Sequence, residues 1–262
     1  MLPKMTRPPG AASTPREASP TLDPAEVERF RRMAEEWWDP KGKFRPLHQI
    51  GPARLAFIRE EVLRHFKHDG KGLKPYAGLT FADIGCGGGL ICEPLARLGG
   101  AVIGIDPAAR NIEIARLHAE AQDLAIDYRP ITVEELAAEG KTYDCVTSLE
   151  VIEHVPDPGP FIKECARLVR PGGLMILSTI NRTLKAYALA IVGAEYVLGW
   201  LPRGTHDWNR FITPDELTAH IAAAGLAPPH FMGFSYDPLQ DAWSLNPDTS
   251  VNYLASVTKP VA

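Results

Sequence analysis

LTFADIGCGGGL (residues 79–90), followed after ten residues by AVIGIDP (101–107), is the part of this chain that decides its fold. Each run is apolar and of strand length, and the first breaks into glycines where a helix must begin. Glycines at such a turn permit positive φ and a close approach of backbone to a bound ligand, while the helix that follows offers unpaired N–H groups at its start. The second run ends on Asp106, about 20 residues beyond the glycines, where a carboxylate can accept both hydroxyls of a ribose. Asp106 precedes Pro107 and is also suited to capping the next helix, and the two roles are compatible. A glycine turn alone is equally consistent with a nicotinamide dinucleotide or with a merely tight turn. Asp83, just ahead of the glycines, can either stabilise the loop or approach the cationic end of a sulfonium cofactor, a charge that a hydride carrier does not place there.

Outward from this stretch the rhythm continues. After 79–84 comes a helix to Leu98, then the strand of AVIGI and a helix over 108–122. IDYR, a short helix over 133–138, YDCVTS, a helix over 159–169 and LMILST follow. Alternating strands and helices at this spacing imply right-handed crossovers and a mostly parallel sheet with helices on both faces. After Thr179 the order breaks: TPDELTAHIAAAG reads as one more helix, and two strands are expected near 230–236 and 252–258. Ahead of the alternation, Val27, Phe30, Met33 and Trp37 mark a helix, and Leu55, Ile58, Val62 and Phe66 a second one over about 52–66. The expected fold is α/β, with seven strands, leading helices and an apolar insertion after the fifth strand. Residues 1–22 form a disordered tail, 23–78 the helices covering the ligand site, and 79–258 the main domain, with the insertion at 182–210.

At 262 residues, 45% hydrophobic and 23% charged, the chain suits one globular domain with appendages. A net charge of -4 gives no general attraction for nucleic acid, which is not an expected partner. Cys86, Cys92, Cys145 and Cys165 show no CxxC spacing and fall in core segments, consistent with a reducing cytoplasm. The tail, rich in Pro, Ser, Ala and Thr, lacks the apolar core of a secretory signal and only weakly meets the description of a transit peptide.

Glu150, Glu153 and His154 follow the fourth strand at its carboxyl end, where open α/β sheets bind ligands. If that segment turns helically, the three share a face, and two carboxylates with an imidazole suit Mg2+ or another divalent ion. AYALAIVGAEYVLGWL (186–201) carries one charge, Glu195, and is shorter than the roughly 20 residues that span a bilayer. Flanked by Arg182, Lys185 and Arg203, it reads either as a buried lid helix or as a helix in a membrane interface.

DIGCGGG, IDPA, SLEVIEHVPDP and VRPGG together resemble the successive motifs of class I methyltransferases. WWDPKGKFRPLHQIGPARL, EVIEHVPDP, NRT, VGAEY and GTHDWNRFITPDEL further resemble the ubiquinone-biosynthesis O-methyltransferases, over about residues 27–253. The resemblance implies a Rossmann-like class I fold and transfer of methyl from S-adenosylmethionine to polyprenylated catechols at two steps, with S-adenosylhomocysteine released. It implies cofactor contacts at Arg54, Gly85, Asp106 and Leu149, to which the glycine loop adds Gly87 and the residue ahead of it, Asp83. It supports the divalent ion at Glu150, Glu153 and His154, which are also the catalytic candidates. Many metal-free members of the wider class carry a similar EHVPD stretch, in which the histidine serves as a base or shapes the pocket. His206 and Asp207 stand at the expected pocket mouth, where loop hydrogen bonding is an equal reading, and His48 is placed near the substrate. A polyprenyl substrate partitions into lipid, so interfacial docking, peripheral location at the inner membrane and contact with other ubiquinone-pathway proteins are expected.

Overall fold

The computed structural model describes residues 21–188, 207–237 and 242–261. Five strands, β1 (Thr80–Ile84), β2 (Ala101–Ile105), β3 (Asp127–Arg129), β4 (Tyr143–Leu149) and β5 (Val169–Ile180), lie parallel in the order β3-β2-β1-β4-β5. The sheet continues through β8 (Asn252–Thr258) and β6 (His230–Asp237), each antiparallel to the strand before it, and ends on β7 (Ala242–Asn246). It therefore has eight strands where seven were expected. The added strand is short, half-exposed and free of a sustained apolar alternation, so it carried no period to read; pairing with β6 makes it a strand.

The crossovers are α3 (Cys92–Arg97), α4 (Ala109–Ala121), α5 (Val133–Ala138) and α6 (Pro158–Leu168), close to their expected places. Alternate residues of the strands feed two cores. Ala82, Ile84, Met175 and Leu177 face α5, α6 and α8 (Pro214–Ala223), whereas Phe81, Leu174 and Ile176 face α2 (Arg45–Phe66), α3 and α4. Burial on both faces explains why these strands read as continuous apolar runs.

The leading helices depart from their expected bounds. α1 (Pro24–Met33) is capped by Asp23, which accepts from the Ala25 N–H, and stops four residues short of Trp37, giving way to one tight turn. α2 begins at Arg45 with Pro52 inside it, seven residues earlier than the sequence suggested. An interior proline costs about 3 kcal/mol; here Pro46 starts the helix, and the extra turns bury Ile50 and pack Leu47 beside Trp37. After β5 a single turn, α7 (Leu184–Ala186), leads into the insertion, of which 189–206 lie outside the described residues. The apolar stretch 186–201, with its lid and interface readings, falls almost wholly there.

Candidate active site

The carboxyl ends of β1, β2 and β4 open onto a cavity of about 680 Å³, roofed by α1 and α2 and walled on one side by the β6–β7 hairpin. Gly85, Gly87, Asp106, Arg54, Leu149, Glu150, Glu153 and His154, all expected here from sequence, line it.

At one end the glycine turn does what its composition requires. Gly85 has φ +73, and a Cβ on it would lie 2.5 Å from Val151. Gly87 has φ +53, with Trp37 covering the place a Cβ would occupy. Asp106 accepts from the N–H groups of Gly87 (3.1 Å) and Ala108 (2.8 Å) and from Asn111 Nδ2 (3.2 Å). It thus latches the glycine loop and closes the Asp106–Ala108 turn ahead of α4, whose N-cap is Ala108 without a side-chain cap, and it still presents to the cavity. Burial pushes its carboxyl up to about 6, against the pull of the two backbone N–H groups. Trp37 Nε1 donates to Asn111 Oδ1 at 2.9 Å, so the N-terminal segment closes this end through a hydrogen-bonded chain.

Asp83 ties the end of β1 to β4 and to the start of α3. Its carboxyl accepts from Thr147 Oγ1 (2.6 Å) and Cys92 Sγ (3.2 Å), is held up by burial, and does not line the cavity. An approach to a sulfonium from this residue is not what the packing provides.

The middle of the cavity is charged. Buried Arg54 places Nη2 3.0 Å from Glu150 Oε1, and its Nε has no hydrogen-bond partner. Glu150 adopts a left-handed backbone (φ 55), held by its N–H to Ser178, whose Oγ also donates to Glu150 Oε1 at 2.7 Å. Glu153 accepts from Thr179 Oγ1 at 2.9 Å; burial and the neighbouring Glu150 charge raise its carboxyl well above the ordinary range. Residues Ile152–His154 form a 3-10 turn rather than an α-helix, and with Glu150 left-handed ahead of it the expected shared face does not form. His154 turns instead to α1, its Nδ1 3.0 Å from Glu26 Oε2 and its ring edge-on to Phe30. Among the described residues, no three His, Cys, Asp or Glu side chains are grouped to hold a metal ion.

The remaining candidates lie elsewhere. His48 Nε2 meets the Trp37 carbonyl oxygen at 2.8 Å and does not line the cavity, so it braces the N-terminal segment. Asp207 caps the turn Trp208–Arg210 through the Asn209 N–H, the loop role, and His206 lies outside the described residues. Sequence reasoning missed Glu26, Asn111 and Trp243. Glu26 reads as a first-turn surface acid; the leading helices were expected to cover the site, but nothing in their spacing showed that α1 would bring this carboxylate into it.

A methyltransferase-domain family matches residues 82–177. The ubiquinone biosynthesis O-methyltransferase of Parvibaculum lavamentivorans is 57% identical over 238 residues, 91% of this chain and 94% of the relative. That of Caulobacter vibrioides is 55% identical over 240 residues, 91% and 95% of the two chains. Among solved structures, magnesium protoporphyrin IX methyltransferase from Synechocystis PCC 6803, with S-adenosylhomocysteine bound, superposes with a TM-score of 0.61 at 19% identity, covering 90% of this chain and 95% of that one. This last likeness is one of fold, a class I S-adenosylmethionine-dependent methyltransferase fold. With a glycine loop latched by Asp106 and relatives more than half identical over nine-tenths of its length, the chain belongs to the ubiquinone biosynthesis O-methyltransferase family.

Proposed function

We propose that this methyltransferase acts on polyprenylated catechols at both O-methylation steps of ubiquinone synthesis, with His154 as the general base. One observation carries the reading: a single cavity joins the Asp106–glycine end to an end that presents His154, between apolar walls that include Leu47, Ile180 and Phe234. A ring bearing an apolar tail suits those walls, and an ionisable hydroxyl suits the polar end.

The cofactor end fits S-adenosylmethionine on its own donor set. Asp106 would take the ribose hydroxyls, the open backbone at Gly85 and Gly87 would accept close approach, and the unpartnered Arg54 Nε would serve the amino-acid carboxylate. When bound, the group supplies a methyl carbon that leaves with the C–S electron pair remaining on sulfur as the acceptor oxygen bonds to carbon. The protein's part is to hold the acceptor in line and to take its proton. His154 Nε2 receives the phenolic proton and later yields it to water. Proton removal by a positioned base contributes on the order of 10²–10⁴ in rate.

A second reading is favoured by Glu150 and Glu153, neighbouring carboxylates of which the second is raised by burial and by the charge of the first and has an Oε1 without a partner. A divalent ion would be held by this pair, with His154 turned from Glu26, and would supply Lewis acidity to both catechol oxygens. Methyl transfer from labelled S-adenosylmethionine to a short-chain catechol, with and without chelator and in His154→Ala, separates the two. Activity that survives chelation but not His154→Ala supports the base. Loss on chelation with recovery on added Mg2+ supports the ion. No transfer to any catechol overturns the function itself. No described helix is long and apolar enough to cross a membrane; delivery of substrate from the inner-membrane surface, or by other pathway proteins, is part of the proposal.

A further inference from the structure

A histidine base needs something to fix its ring and its tautomer, because either nitrogen can carry the hydrogen. The short turn that bears His154 offers nothing of the kind. Both contacts that orient the ring come from α1: Phe30 packs edge-on at 5.2 Å, and Glu26 Oε2 lies 3.0 Å from Nδ1. Burial works against the Glu26 charge, but His154, Arg29 at 2.7 Å and Arg210 outweigh it and hold the carboxyl below its ordinary range. An ionised carboxylate beside Nδ1 favours the tautomer with the hydrogen on that nitrogen, which leaves the Nε2 lone pair to a side chain that lines the cavity.

The helix that supplies Glu26 is itself lightly held. α1 has no buried side chain. Phe30 and Met33 pack half-buried against the Trp37–Phe44 cluster, and the ion pairs Asp23 to Arg210 at 2.9 Å and Glu26 to His154 add polar ties. Elements with little buried apolar area open locally at small cost.

We propose that Glu26 is the positioning residue for His154, so that the base is complete only when α1 is seated over the cavity. The inference rests on the reading of His154 as general base. It places half of the base unit on the N-terminal helix, outside the α/β core that carries the rest of the chemistry.

The test uses the full chain with Glu26→Gln, Glu26→Asp and His154→Ala, and two acceptors, a short-chain catechol and 4-nitrocatechol, which ionises near neutral pH without help. On the ordinary catechol, Glu26→Gln should lower kcat by roughly 10–100-fold, as losing an orienting partner typically does, with KM and S-adenosylmethionine affinity held within about twofold. Glu26→Asp should recover part of the loss, since it keeps the acceptor. With 4-nitrocatechol the loss should shrink to a few-fold, because an acceptor already ionised needs no base. A merely structural Glu26 would cost the same on both acceptors, and that result, or wild-type kcat in Glu26→Gln, overturns the inference while leaving His154 as base. Full activity of His154→Ala on the ordinary catechol would instead remove the base reading on which it rests.

Discussion

Replacing Asp106 with Asn separates what this carboxylate costs the fold from what it gives to the ligand. Burial raises its carboxyl from 3.8 to about 6, which corresponds to about 3 kcal/mol at 25 °C. A raised acid binds its proton more tightly folded than unfolded. The penalty is therefore absent below pH 3.8, grows between 3.8 and about 6, and stands in full above that. Asn carries no charge and escapes it. Its Oδ1 can keep Ala108 and Asn111, but its Nδ2 would face the Gly87 N–H, which now donates to Asp106 Oδ2. Leaving that donor unsatisfied costs about 1–3 kcal/mol at every pH. At pH 8 the variant without cofactor should thus be about as stable as the wild type or up to about 2 kcal/mol more so. The decisive quantity is the stability difference between the two proteins in urea melts, which should move by about 3 kcal/mol in favour of Asp106→Asn between roughly pH 3 and pH 7. Calorimetry should show S-adenosylmethionine affinity falling by about 1–3 kcal/mol. Wild-type affinity should itself be about tenfold weaker at pH 5 than at pH 7, because the apo carboxyl is mostly protonated there. A stability difference that stays flat with pH refutes the burial argument, and unchanged affinity removes Asp106 from the ribose.

Two further outcomes are expected. Gly87→Ala combines a φ of +53 with a Cβ 2.3 Å from Trp37; it should abolish measurable cofactor binding and lower stability by more than the about 1–2 kcal/mol of the left-handed backbone alone. Adding Trp37→Ala should return part of that loss in thermal melts, and a purely additive double variant would show that Trp37 is not what Gly87 accommodates. Replacing Tyr187, Ile191 and Leu198 together by Ser should reduce sedimentation with anionic liposomes while leaving activity on a soluble short-tailed catechol, since interfacial binding scales with apolar area. Unfolding of that variant, seen by circular dichroism, would assign the stretch to the core instead.

The sequence by itself determined the α/β alternation, the glycine turn and the place of Asp106. Each is local: a strand buried on both faces must be a nearly continuous apolar run, as 174–177 is, and a turn at φ +73 against Val151 must be glycine. It also marked Glu150, Glu153 and His154 by their place at the end of the fourth strand and their helical spacing, and Arg54 through motif resemblance. How those four are wired was decided by tertiary contacts that leave no trace in spacing. Arg54 meets Glu150 because α2 folds over the carboxyl end of β4, and His154 leaves the acidic pair because α1 brings Glu26 to it. The eighth strand and the start of α2 were likewise fixed from outside, one by its hairpin partner and the other by the packing of Ile50 and Leu47 that the added turns allow. Residue type and period report what a segment prefers alone, whereas the raised carboxyl of Glu153 and the orientation of His154 depend on the burial and the charges that the fold sets around them.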